Sequence, residues 1–224
     1  MMEPNRPSGD TREKILEVAC RLFAEKGYRG TTVAVLCREA GANIAAVNYH
    51  FGGKEELYRR AWRHAHEQLL ALVPPEGGVA AERPAAERLR GRIRAGLQRA
   101  LMGEAIELSM VRNEMAHPTG LLDQVIEDAI RPMRRETQAL LRELLGSRAT
   151  DLDVELCEVC VVVPWMHMMH QRQAEKHKGV APVFREEMLE AMTERLTAFA
   201  LAGIRETRRQ VEGRGRKTGG RSRK

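Results

Sequence analysis

The stretch from Asn43 to Leu57 reads NIAAVNYHFGGKEEL, and it holds the residues best equipped for chemistry with a polar polymer. Set 100° apart along a helix, Val47 and Phe51 point together while Ala45 and Tyr49 point almost directly away from them. One face packs and the other is free. On the free side, Tyr49 offers a ring and a hydroxyl, and His50 offers ring nitrogens to a phosphate or a base. Ala45 and Ala46 are small enough to let a helix approach a groove, and Asn48 on the flank can make a bidentate contact with adenine. Ile44 can touch a thymine methyl or be buried, and the wheel does not separate the two. Thr31 and Thr32 at one helix start, and Lys54 at the next, suit phosphate, because helix N-termini present free amides and a partial positive charge. These three would position the chain, and the segment from Asn43 to His50 would read sequence.

Several elements must hold these side chains. Asp10 followed by Glu13 opens a helix whose Ile15, Leu16, Ala19, Leu22 and Phe23 share one face, with Gly27 as its stop. A helix of about ten residues follows from Thr31/Thr32 to Gly41, and after a short turn another runs from Asn43 to Phe51. Two short helices joined this tightly have the form of a helix-turn-helix, here spanning 31–50. Lys54, Glu55 and Glu56 start a fourth helix that ends before Pro74 and Pro75.

The breaker-rich stretch PPEGGVAAERP, residues 74–84, reads as a linker. Beyond it lie long amphipathic segments, 85–102, 104–116, 121–145, 151–176 and 184–209, which are expected to pack as an antiparallel bundle. The expected organisation is a flexible arm (1–9), a helix-turn-helix DNA-binding domain (10–73), the linker (74–84), a helical bundle (85–209) and a disordered basic tail (210–224).

Composition agrees with an all-α protein. The 224 residues are 43% hydrophobic, enough for a core, and contain only two Trp, three Tyr and four Phe. The net charge of +6 suggests nucleic acid, but residues 205–224 hold nine Lys/Arg against Glu206 and Glu212, which leaves positions 1–204 at −1. Four cysteines show no disulfide framework, no secretory segment is visible, and the most apolar run, Leu156 to Met169, is too short to cross a bilayer. A soluble, cytoplasmic protein with no membrane partner is expected.

The motif as a whole resembles the DNA-binding region of the TetR family of transcriptional regulators, in which a short helix ends in Tyr-His-Phe before a Lys-Glu-Glu-Leu helix start. Tyr49, His50, Phe51, Lys54, Glu55, Glu56 and Leu57 match that ending, and Phe23, Gly27, Thr31, Thr32, Ala40 and Gly41 match the upstream pattern. The resemblance covers about residues 10 to 70. Asn48, Ile44 and Gly53 depart from the residues most common in the family, so an operator sequence does not transfer. The run VRNEMAHPTGLLDQVIEDAIRPM from Val111 to Met133, with NIAAVNYHF, looks like the CecR subgroup, which implies a link to efflux and small toxic compounds. The resemblance implies about nine helices and a homodimer formed through helices 151–176 and 184–209. It further implies a double-stranded palindromic operator, and a repressor released by a small-molecule effector of unknown identity. No catalysis, cofactor or metal is expected.

Candidates for the effector pocket are polar or adaptable residues that interrupt apolar helix faces. Arg112, Glu114 and His117 form one set; a buried Arg or Glu must be paired internally or must meet a ligand. Trp165, Met166 and Met169 form another, within WMHMMH, where bundle core or dimer contact competes with an organic-ligand site and, more remotely, with soft-metal binding. Cys157, Cys160, His167 and His170 mimic a zinc list, but the helix between its ends spans ~20 Å, too far for one tetrahedral site. Both cysteines are expected to be buried small hydrophobes.

Overall fold

The computed structural model describes residues 9–102, 106–177 and 179–219. Among them are nine α-helices and no strand: α1 Gly9–Gly30, α2 Val33–Ala40, α3 Ile44–Phe51, α4 Lys54–Leu72, α5 Ala85–Leu101, α6 Ile106–Ala116, α7 Asp123–Leu145, α8 Asp151–His177 and α9 Leu189–Gly219. Of the arm expected at residues 1–9, residues 1–8 lie outside the described residues and Gly9 opens α1. No helix among those described is long and apolar enough to cross a membrane.

The chain divides into two compact units. The first joins residues 9–71 to 106–130 around one core. Ile15, Ala19, Leu22 and Phe23 of α1 are fully buried with Leu36 of α2, Val47 of α3, and Leu57, Tyr58 and Ala61 of α4. At the end of α1, Gly27 adopts φ 67°, ψ 178°, a region essentially reserved for glycine, and breaks the helix where a stop was expected. Gly41, left-handed at φ 62°, ends α2 and makes the tight turn into α3.

Residues 106–130 belong to this first unit, whereas the sequence put everything from 85 to 209 in a second domain. The physical reason is specific polar keying of α6. Asn113 Nδ2 donates to the carbonyls of Phe23 (3.2 Å) and Ala24 (2.9 Å), and His66 Nδ1 of α4 lies 2.5 Å from Glu107 Oε2. Met110 is fully buried in the same core. Neither the carbonyls of α1 nor the His66 partner has a signature in local sequence spacing.

The second unit comprises residues 72–102 and 131–219. Leu89, Ile93, Leu97 and Leu101 of α5 pack with Leu141 and Leu145 of α7, Val154 and Val161 of α8, and Ile204 of α9. Within residues 74–84, expected as a linker, turns close from Gly77 N to the Pro74 carbonyl (2.9 Å) and from Arg83 N to the Ala80 carbonyl (3.1 Å), and Val73 just before them is buried. A Cβ on Gly96 would stand 2.6 Å from the Trp165 ring, so α5 and α8 meet at a residue with no side chain.

Two boundaries differ at the C-terminal end. A 3-10 turn, Glu186–Met188, precedes α9, so the helix starts five residues later than its expected start at 184. It then continues to Gly219 rather than giving way to disorder at 210. Val211 is buried, Arg208 pairs with Glu212 one turn on (3.0 Å), and Arg214 reaches Asp153 at the start of α8 (3.0 Å). These contacts outweigh the poor helix propensity of Gly213 and Gly215. Residues 220–224 of the expected tail lie outside the described residues.

Candidate nucleic-acid interface

Two side-chain caps define the helix-turn-helix. Thr32 Oγ1 accepts from Val35 N (3.2 Å) at the start of α2, and Asn43 Oδ1 accepts from Ala46 N (2.8 Å) at the start of α3. Each cap satisfies one orphan amide and leaves hydrogens to donate: the Thr32 hydroxyl and the Asn43 amide NH2.

Burial then separates the two faces of α3. Val47 and Phe51 are inside, and Ala46 is half-buried against the same core. Ala45 and Asn48 are exposed, Ile44 is 55% exposed, and Tyr49 is 77% exposed. Ile44 is therefore at the surface, where an apolar side chain is free to meet a base methyl. A helix anchored at two apolar points with small, polar and aromatic residues outward fits a major groove.

Thr31 differs from its expectation. It is fully buried, and its hydroxyl donates toward the carbonyls of Gly27 (2.9 Å) and Leu22 (3.2 Å). It closes the broken end of α1 and presents nothing to phosphate. Neighbouring threonines look alike in sequence, and the core claims one of them. His50 is half-buried between the rings of Tyr49 and Phe51, at centroid distances of 5.0 and 6.2 Å, with Nε2 enclosed and unbonded. That nitrogen is not offered to DNA.

Lys54 opens α4 with its ammonium 4.0 Å from the centre of the Tyr28 ring, and partial burial lowers its pKa. Two residues beside the interface carry no motif of their own. Tyr28 is one. Arg12 of α1 is the other, exposed, with its guanidinium 5.6 Å from the Phe51 ring at the end of α3. A basic residue one turn into the first helix is the only signal that Arg12 leaves in sequence.

The pocket candidates divide between the units. In the first, Glu114 is buried and wholly occupied: Oε2 accepts from the Tyr58 hydroxyl (3.2 Å), and Oε1 accepts from Thr119 N (2.6 Å), Thr119 Oγ1 (2.7 Å) and Gly120 N (2.7 Å). Its role is to tie the loop after α6 to α4, which corrects its candidacy as a ligand contact. His117 is exposed and Arg112 half-buried. A cavity of about 270 Å³ is lined by Lys26, Arg29, Tyr58, Asn113, Glu114 and His117 among others.

In the second unit, Trp165 and Met169 are half-buried against the bundle core and Met168 is buried within it, while Met166 is 43% exposed. The His170 side chain lies outside the described residues. Cys157 is buried with its thiol pKa raised by desolvation, but Cys160 is exposed, against expectation. They stand three positions apart along the helix, so they share only part of a face. Met166 completes an exposed apolar seam on α8 with Leu152, Leu156, Val159 and Val163. These recur every three or four residues along one side of the helix, and α9 adds Phe199 at 75% exposure.

Comparison with known proteins falls on both units. Residues 15–61 match the model of the tetR family of bacterial regulatory proteins, and residues 85–204 match that of the C-terminal domain of the HTH-type transcriptional dual regulator CecR. The chain is 52% identical over 66 residues to the HTH-type transcriptional regulator LmrA of Bacillus subtilis, which covers 29% of this chain and 35% of that one. It thus spans about a third of that relative's length. The dual regulator CecR of Shigella flexneri is 27% identical over 153 residues, covering 62% of this chain and 67% of its own. Among solved structures, AibR in complex with isovaleryl coenzyme A and operator DNA superposes with a TM-score of 0.56 at 19% identity, covering 84% of this chain and 97% of that one.

Proposed function

The chain belongs to the TetR family of bacterial transcriptional regulators, with a CecR-type C-terminal domain, and on that premise we propose that it is a homodimeric repressor of a palindromic operator. In this reading α3 enters the major groove. Tyr49, Asn48, Ala45 and Ile44 face the bases, and Thr32, Asn43, Lys54 and the accessible edge of His50 contact backbone or bases nearby. The observation that carries it is the division of α3, with Val47 and Phe51 buried beneath an outward Tyr49 that is 77% exposed.

The α8 seam supports a second copy of the chain as partner. Five large apolar side chains in one row are a costly surface to leave in water, and a two-fold axis lets one such row cover another. A small molecule held by the C-terminal bundle then favours a dimer whose two α3 helices no longer match successive groove faces. Operator affinity falls by the effector's difference in affinity for the two states. Within that bundle Trp165, Met166 and Met169 remain the candidate contacts, with an effector of organic character; Arg112 and His117 belong to the first unit and form a separate candidate set there. Such a protein acts beside the chromosome, in the cytoplasm. The dual-regulator name of the Shigella flexneri relative favours a second reading, in which the bound dimer also activates some promoters.

Selection of duplexes from a randomised pool by the purified protein tests the proposal. The expected product is an inverted repeat with half-site centres about 34–36 Å apart. Enriched duplexes without two-fold symmetry, or no enrichment, contradict it.

A further inference from the structure

The ammonium of Lys54 does not sit free at the start of α4; it stands over an aromatic face. Tyr28, on the short turn beyond the Gly27 break, holds its ring centre 4.0 Å from Lys54 Nζ. The ring is itself held. Its centroid is 5.1 Å from that of Tyr58 and 6.3 Å from that of Phe23, and Tyr58 meets Phe23 edge-on at 4.8 Å. The Tyr58 hydroxyl is fixed by Glu114 of α6. A series of neighbouring side chains therefore runs from a buried carboxylate to a cation three residues beyond the end of α3.

A lysine normally loses the freedom of four torsions when it meets a phosphate. One whose ammonium already rests on a ring face has lost much of it beforehand, and its remaining N–H groups stay available to donate. We propose that Tyr28 is a positioning residue for DNA binding, its ring seating the Lys54 ammonium so that the lysine meets a DNA phosphate already ordered. This rests on the reading of α3 and the start of α4 as the DNA face. Tyr28 acts through Lys54 and itself touches no base.

The test uses the full-length protein and a duplex enriched by the wild-type chain from a randomised pool, with binding measured between 50 and 200 mM salt. Removing one lysine–phosphate pair flattens the log–log slope by about 0.9, so that affinity declines ~3.5-fold less over that range. Lys54→Met is expected to flatten the slope. Tyr28→Leu is expected to flatten it partway and to add nothing in the Lys54→Met background, and Tyr28→Phe, which keeps the ring, to retain the wild-type slope. In the free wild-type protein, the ring current of Tyr28 is expected to move the Lys54 Cε protons upfield, a readout that survives if Tyr28→Leu fails to fold.

An unchanged slope in Lys54→Met removes the DNA-face reading of Lys54 and the proposal with it. A flattened slope in Lys54→Met, with a Tyr28→Leu effect that is equal in both backgrounds or absent, overturns the positioning role alone. So do unshifted Lys54 protons.

Discussion

Thr31 and Thr32 are adjacent and chemically alike, and the fold puts them to opposite uses. Replacing Thr31 with Val strips a fully buried hydroxyl from two carbonyls and is expected to cost about 1–3 kcal/mol in urea denaturation. Replacing Thr32 with Ala removes the cap of α2 and is expected to cost about 1 kcal/mol; on the proposed DNA face it also lowers DNA affinity with the salt slope unchanged, because the hydroxyl carries no charge. Thiol reactivity separates the cysteines in the same way. Burial pushes the Cys20 thiol up to about 12, and its Sγ donates to the Ala61 carbonyl, so it is expected to react with a disulfide reagent at pH 8 only on unfolding. The exposed Cys160 reacts in the native state. Equal native reactivity of the two would contradict the burial described for Cys20.

At the scale of elements, periodicity and breakers located every helix, because apolar spacing, Gly27, Gly41 and the Pro74–Pro84 stretch are local signals. What local signals do not carry is the partner. Asn113 and Glu114 look in sequence like polar interruptions of an apolar face, and only the fold brings the carbonyls of α1 and the Tyr58 hydroxyl to them. The tail misleads for a related reason, since Arg214 finds Asp153 across 61 residues of chain. Gly27→Ala forces a side chain into its φ 67°, ψ 178° conformation and is expected to destabilise by about 1–3 kcal/mol, read as a lowered Tm. Asp153 is held below the usual aspartate range, first by the Thr150 hydroxyl and amide and then by Arg214. A lowered folded-state pKa gives stability that is complete above the unfolded value near ~3.9 and is lost as pH falls through the folded value. The urea midpoint of the wild type should therefore exceed that of Asp153→Asn at pH 5–8 and converge with it in acid. A gap independent of pH would assign the effect to packing.

For the molecule as a whole, the overall charge that first suggested nucleic acid proves to be a poor guide. Much of the excess lies on α9, where Arg208, Arg209 and Arg214 pair with Glu212, Glu206 and Asp153. The candidate interface depends on arrangement instead: two caps, two buried anchors and an outward aromatic. On the proposed α8 interface, Leu156→Glu is expected to run as a monomer in sedimentation at concentrations where the wild type is expected to run as a dimer. DNA affinity should fall with it while the helix content is kept. The central claim, that α3 reads DNA, is tested most directly by measuring Tyr49→Ala against the wild type on a duplex selected by the wild type and on an unrelated duplex. The expected result is an affinity loss of about tenfold or more on the selected duplex, roughly 1.4 kcal/mol, with little change on the unrelated one and an unaltered Tm. Equal affinity of the two proteins for the selected duplex would contradict it.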